Sequence, residues 1–249
     1  MNQKRTIIIG GTKGLGRVVV RNLSDEGHRL FVLARNGPKE CDKDIKDTLY
    51  FKANLMDESS FLQELSNIID MLGKIHNLIF LQRFRGEEDC WSGDLEVGLN
   101  ATRKIINHLK DKFDTDPNVT SSIVMVSSVA GNFANNTQPL SYSIAKAGIN
   151  HMVKYYAAEL GSYGIRVNGV SPIGFMKEES RKYYMEDNKK MNELYQQIIP
   201  LRRMCTSEDV ANVISFLCSD KASFISGQNI VVDGGLSVVA HETLAMNLT

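Results

Sequence analysis

Cysteine is scarce in this chain, and none of Cys41, Cys90, Cys205 and Cys218 belongs to a C-x-x-C pair. No histidine among His28, His76, His108, His151 and His241 stands at ligand spacing from another or from a cysteine. A zinc ribbon or finger is thereby excluded and no metal is expected. Four free thiols suit a reducing compartment, so the expected location is cytoplasmic. Long apolar runs are missing too: nothing approaches the roughly 20 residues of a membrane-spanning helix. Thr6–Ile9 is short and runs into glycines, so it reads as a strand and not as a signal peptide. Nor is there an excess of one charge, since 29 Lys and Arg balance 29 Asp and Glu. That balance gives no electrostatic reason to expect nucleic acid or an anionic membrane as partner. Lys110-Asp111-Lys112 and Lys189-Lys190 read as solvated faces.

What is present is alternation. Short, mostly continuous apolar runs at Thr6–Ile9, Leu30–Ala34, Leu49–Ala53, Leu78–Leu81, Ser122–Val126, Arg166–Val170 and Asn229–Val232 read as strands covered on both faces. Amphipathic stretches at Gly16–Glu26, Ser59–Leu72, Leu95–Phe113, Tyr142–Leu160 and Ser207–Cys218 read as helices between them. The expectation is an α/β fold: one doubly wound, Rossmann-type domain spanning 1–249, with a parallel sheet of about seven strands. No repeat or linker divides it. Two stretches break the alternation. Arg83–Gly93 is polar and charged, and Phe175–Gln197 reads as one or two short helices inserted before the last βα unit, a candidate lid. Both follow strands, and ligands of open α/β sheets sit beyond the strands' carboxyl ends.

Gly10-Gly11-Thr12-Lys13-Gly14-Leu15-Gly16 lies between the first strand and the first helix. Glycines there permit a tight turn and let backbone N–H groups approach a pyrophosphate at the helix N-terminus. In this position the loop points to a dinucleotide. An acidic residue after the second strand would bind the ribose hydroxyls of NAD, but the chain has Ala34-Arg35. Arg35, with Lys13 in the loop, suits a 2′-phosphate, so NADP(H) is expected.

Tyr142 and Lys146 stand four residues apart in Tyr142-Ser143-Ile144-Ala145-Lys146, one helical turn. A free phenol, pKa about 10, is a poor acid or base at neutral pH, and a cation on the next turn stabilises its phenolate. Bringing a phenol to about 7 takes roughly 4 kcal/mol, whereas an exposed ion pair supplies about 1 kcal/mol or less. Such a site must therefore be partly desolvated.

With these motifs in order, the chain resembles the short-chain dehydrogenase/reductases of about this length, in particular 3-oxoacyl-carrier reductases. Gly10, Gly14 and Gly16 match the family's GxxxGxG, and Tyr142 and Lys146 its YxxxK. Ser127-Ser128-Val129-Ala130-Gly131 resembles SSxxG, Leu99-Asn100 the segment of the active-site asparagine, and Gly164–Asn168 and Val170–Pro172 the run after the catalytic helix. Ser226–Gln228 and Val232–Gly235 resemble its C-terminal signature. The resemblance implies catalytic roles for Tyr142, Lys146, Ser128 and Asn100. It implies cofactor contacts from Gly10, Thr12, Lys13, Gly14, Leu15, Gly16, Arg35, Asn54, Leu55, Phe80, Leu81, Tyr142, Lys146, Pro172, Gly174 and Phe175. There are departures. Ile9 replaces the usual Thr, Phe80-Leu81-Gln82-Arg83 replaces Asn-Asn-Ala-Gly, Asn54 replaces Asp, and no threonine follows Pro172-Ile173-Gly174 in the usual way.

The implied reaction interconverts a ketone and a secondary alcohol, with NADP(H) supplying or taking the hydride. Tyr142 acts as acid/base, Ser128 orients the carbonyl, Lys146 holds the nicotinamide ribose and Asn100 a water. The substrate is a small carbonyl or alcohol, anionic or carrier-linked as alternatives. Arg83 and Arg85 are either anion receptors at the mouth or partners of Glu87, Glu88 and Asp89. A non-catalytic NADP(H)-binding regulator or scaffold of the same fold is the competing reading. An epimerase or dehydratase would carry a larger C-terminal domain. The family resemblance also implies a homotetramer or homodimer.

Overall fold

The computed structural model describes residues 3–86, 89–116 and 118–248. Seven parallel strands form one sheet: β1 (Arg5–Ile9), β2 (Arg29–Ala34), β3 (Thr48–Lys52), β4 (Asn77–Phe80), β5 (Ser121–Val126), β6 (Ile165–Pro172) and, last in the chain, β9 (Asn229–Val232). Their order is β3-β2-β1-β4-β5-β6-β9. All seven expected strands are there. Two short additions, β7 (Phe175–Met176) and β8 (Cys205–Thr206), pair with each other outside the main sheet.

The apolar strands are continuous because both faces are covered, and the side-chain period of two sorts their residues between two cores. Ile7, Ile9, Phe31 and Leu33 face one core, with α2 (Glu58–Leu72), α4 (Ala101–Leu109) and α5 (Leu140–Leu160). Ile8, Leu30 and Val32 face the other, with α1 (Leu15–Asp25) and α7 (Ser207–Cys218). Local signals set the helix starts. Asp57 accepts from the Ser60 N–H ahead of α2, and Thr206 and Asp209 form a reciprocal capping box ahead of α7.

The expected helix at Leu95–Phe113 is not continuous. A short α3 (Cys90–Leu95), capped by Asp89, passes through a π-helical turn at Glu96–Asn100 into α4, and a 3₁₀ turn follows at Lys110–Lys112. Gly98 sits within the turn, and the Thr102 hydroxyl bonds back to its carbonyl at 2.8 Å. Glycine and a back-bonding threonine both weaken a regular α-turn. The 175–197 stretch contains β7, a 3₁₀ turn at Glu178–Ser180, a π-helical turn at Tyr183–Asp187 and α6 (Lys189–Ile198), which has no buried residue. A final α8 (His241–Asn247) lies beside α6.

At the amino-terminal edge of the sheet, a buried polar ladder crosses the strands. Thr6 Oγ1 and His28 Nδ1 share a hydrogen bond of 2.9 Å, Asn77 Nδ2 donates to Thr6 Oγ1 at 3.1 Å, and Ser122 Oγ donates to Asn77 Oδ1 at 2.8 Å. The opposite, carboxyl edge carries the loops after β1 to β6. The order reverses between β1 and β4, which opens a crevice there. No helix among the described residues is long and apolar enough to cross a membrane.

Candidate active site

Tyr142 lies in the first turn of α5, directly after Pro139. That turn is pinned by the neighbouring Ser141, whose hydroxyl donates to the buried Asp94 carboxylate of α3 at 2.7 Å. One turn on, Lys146 is only 6% exposed. Its Nζ donates to the Val126 carbonyl at the end of β5, at 2.9 Å, and stands 5.6 Å from the Tyr142 ring centroid. Burial lowers the Lys146 ammonium to about 8; the charge of Arg83 adds to this, and the Asp94 carboxylate opposes it. The partial desolvation that the chemistry demands is therefore present around the lysine.

Ser128 follows β5 in a segment clamped to the same helix. Ser127 Oγ donates to the Lys146 carbonyl at 2.9 Å, and a Cβ on Gly131 would lie 2.8 Å from Lys146 backbone. The half-buried Ser128 Oγ accepts the Ala130 N–H at 3.2 Å, which leaves its own proton available. Tyr142, Lys146 and Ser128 thus gather where β5 meets α5.

Asn100 does not join them, which corrects the sequence expectation. It is exposed, and its Nδ2 donates to Glu96 Oε2 at 2.7 Å. It lines an open groove of about 700 Å³ between α4 and α5, with Arg103, His151 and Tyr155. His151 and Tyr155 lie on the face of α5 away from Lys146, because five and nine residues at 100° per residue carry them well round the helix. The residue facing the inner side of α5 is Gly98, where a Cβ would meet Ala145 Cβ at 3.3 Å. The π-helical turn shifts this register, and the sequence carried no signal of the turn beyond Gly98 itself.

The glycine loop is as tight as its composition implies. Gly10 and Gly14 have φ of 93° and 51°, and a Cβ on Gly16 would lie 2.1 Å from the Gly10 carbonyl. Thr12 is buried, Lys13 is exposed, and Leu15 and Gly16 open α1. Arg35 is exposed directly after β2. Asn54 and Leu55 follow β3, and the Asn54 oxygen accepts the Met56 N–H at 3.2 Å. Phe80 ends β4 and Leu81 follows it. Pro172, Gly174 and Phe175 follow from β6, and Tyr195 Oη of α6 would stand 3.1 Å from a Cβ on Gly174. All these positions lie along the carboxyl edge. The altered segment after β4 keeps a bracing role: Gln82 Nε2 donates to Thr102 Oγ1 at 2.8 Å and links β4 to α4.

A contact absent from the sequence reading closes over the loop. Glu179 Oε1 accepts the Gly14 N–H at 3.3 Å and lies 3.1 Å from Arg17 Nη2 and 3.6 Å from Lys39 Nζ. Glu178 pairs with Arg17 and, at 2.7 Å, with Arg21, and Arg21 also binds the buried Asp42 at 2.6 Å. The Lys177 stem lies against Gly14, with Cδ 3.1 Å from where its Cβ would be. Arg17, itself 2% exposed, anchors the cluster. Glu178 and Glu179 thus hold the segment after β7 to α1 and the glycine loop.

A family model described as enoyl-(acyl carrier protein) reductase matches residues 10–237. The chain belongs to the short-chain dehydrogenase/reductase family. Family members use nicotinamide cofactors for oxidoreduction. A 3-oxoacyl-[acyl-carrier-protein] reductase of Aquifex aeolicus is 31% identical over 247 residues, covering 94% of this chain and 97% of the relative. Among solved structures, the Cj0485 dehydrogenase superposes with a TM-score of 0.85 at 22% identity, covering 96% and 95% of the two chains. The RhlG/NADP active-site complex of Pseudomonas aeruginosa superposes at 0.82 with 20% identity, over 94% and 96%. At these identities the structural matches speak to the fold.

Proposed function

We propose that this short-chain dehydrogenase/reductase is an NADP(H)-dependent enzyme that interconverts a ketone and a secondary alcohol, with Tyr142 as acid/base. The observation that carries the reading is the buried Lys146, held on the Val126 carbonyl one turn from Tyr142, at the crevice that the glycine loop borders. The loop fits a dinucleotide: side chains at Gly10, Gly14 and Gly16 would be strained or would fill the space that backbone N–H groups need to meet a phosphate. Lys13 and Arg35, exposed and close to the ends of β1 and β2, suit a 2′-phosphate. When bound, the nicotinamide supplies the hydride. Tyr142 gives its phenolic proton to the carbonyl oxygen as negative charge grows there. Ser128 donates a second hydrogen bond to the same oxygen and fixes its orientation. Lys146, with one N–H on Val126, keeps two for the cofactor ribose and the phenol side. Phe175–Gln197 serves as a lid, since its exposed α6 reaches the turn after β6 through Tyr195. The exposed faces of α4 and α5 support assembly into a homodimer or homotetramer.

The test is NADPH oxidation against acyl thioesters, keto-sugars and small ketones, with Tyr142→Phe as control. Turnover should be lost in the variant while NADPH binding stays close to that of the wild type. Near-wild-type turnover by Tyr142→Phe would refute the assignment. The outward Asn100 and the Glu179 contact on Gly14 favour one second reading, an NADP(H)-binding protein without turnover. Tight NADPH binding with no reduction of any carbonyl would select it.

A further inference from the structure

Arg83 belongs to the segment that departs from the family pattern, and the acid–base chemistry makes no use of it. Its guanidinium carbon sits 4.4 Å from the centroid of the Tyr142 ring, and its Nη2 donates to Gln138 Oε1 at 2.7 Å. The side chain is therefore held on the catalytic phenol from two directions. Among the described residues, no ion pair involves Arg83 or Arg85. Of the alternative partners, Asp89 accepts the Ser92 N–H as the cap of α3, and Glu87 and Glu88 lie outside the described residues. The positive charge is felt nearby: burial is the main cause that lowers Lys146 and Lys177, and Arg83 adds to it at Lys146, Arg85 and Arg83 at Lys177. Cations thus converge on the mouth, and a guanidinium with one N–H engaged keeps four donors in a planar fork that matches a carboxylate or phosphate.

Geometry limits what that fork can bind. The substrate's carbonyl oxygen must come within hydrogen-bond reach of the Tyr142 hydroxyl. An anion held by a guanidinium stacked on the same ring is then only a few bonds from the reacting carbon. The glycine loop with Lys13 and Arg35 stands across the crevice, after β1 and β2, whereas Arg83 follows β4 and lies over α5. Its segment nevertheless abuts the glycine loop, where a Cβ on Gly10 would lie 3.0 Å from Gln82 N, so the affinity for NADPH is measured beside that for substrate to tell the two roles apart.

Resting on the ketone/alcohol reading above, we propose that Arg83 determines specificity by binding a carboxylate or phosphate close to the reacting carbonyl, so that the substrate is an oxo-acid or a phosphorylated oxo-compound. The decisive measurement uses matched pairs: 3-oxobutanoate against its methyl ester, and dihydroxyacetone phosphate against dihydroxyacetone. Wild type, Arg83→Gln and Arg83→Lys are compared by kcat and KM. Binding of 3-hydroxybutanoate and glycerol 3-phosphate to the protein–NADP⁺ complex is followed by calorimetry. The wild type should prefer one anionic member, and the favoured pair tells carboxylate from phosphate. Arg83→Gln should cut that preference at least ten-fold, mainly through KM, with Arg83→Lys in between and the affinity for NADPH little changed. An equal loss on charged and neutral members, or a wild type that prefers the neutral ones, overturns the proposal. If no carbonyl is reduced but anion binding vanishes in Arg83→Gln, the anion site stands and the oxidoreductase reading falls. If anion binding is absent, or the same in both proteins, the anion site falls.

Discussion

Lys146 derives its chemistry from where it is held. Burial against Val126 brings its ammonium to about 8, within reach of ordinary working pH. A base with a lowered pKa is cationic below that value and neutral above it. If carbonyl reduction needs the cation, kcat/KM should fall as the pH rises through about 8, and a pH profile of kcat/KM for the reductive direction checks this. Asn100 gives a second prediction at this scale. With its amide held by Glu96 on the outward side of the helix, Asn100→Ala should keep kcat within about two-fold of the wild type in the same assay. The spacing of Tyr142 and Lys146 was legible because one helical turn translates directly into adjacency. Asn100 was misread because the π-helical turn changes which residue faces α5, and a one-residue pattern match carries no such information. Asp94 and Glu179 were invisible for a different reason: they reach the site from segments distant in sequence, and only the fold brings them there.

Elements that obey a simple period were legible; those that do not were only outlined. The five inner strands appear because their apolar runs had to be buried on two faces, and the edge strands β3 and β9 keep the apolar pattern while partly exposed. The 175–197 stretch showed itself as an interruption, but its contact with the glycine loop depends on ion pairs that no pattern specifies. That contact leads to a prediction. Glu179 accepts the Gly14 N–H that the proposed function assigns to a phosphate oxygen, so on that proposal its carboxylate should compete with the dinucleotide. Glu179→Gln removes the charge and should tighten NADPH binding about two- to five-fold, a modest effect because the group is partly exposed. Calorimetry or fluorescence titration reads it directly, and weaker binding in the variant would count against competition. Within the loop itself, Gly16→Ala should abolish cofactor binding or the fold, because its methyl would collide with the Gly10 carbonyl; titration alongside circular dichroism tells these apart.

Across the whole molecule, the two edges of the sheet divide the labour. The amino edge carries the Thr6–His28–Asn77–Ser122 ladder, and burial there lowers His28 to about 4 from 6.5. The unfolded chain therefore binds more protons than the folded one between those values, so stability rises with pH across that window and is lost as the pH falls through it. The effect is roughly 3 kcal/mol at most. Melting temperatures taken across this range should fall on acidification, and the fall should be smaller in His28→Gln. The carboxyl edge carries the proposed chemistry, and there the supports are of two kinds. Tyr142, Lys146 and Ser128 rest on β5 and α5, whereas Arg83 and the 175–197 stretch come from irregular connections. Selectivity should therefore be transplantable: a relative given residues 83–93 and 175–197 of this chain ought to keep its own proton-transfer groups while acquiring this chain's choice of substrate.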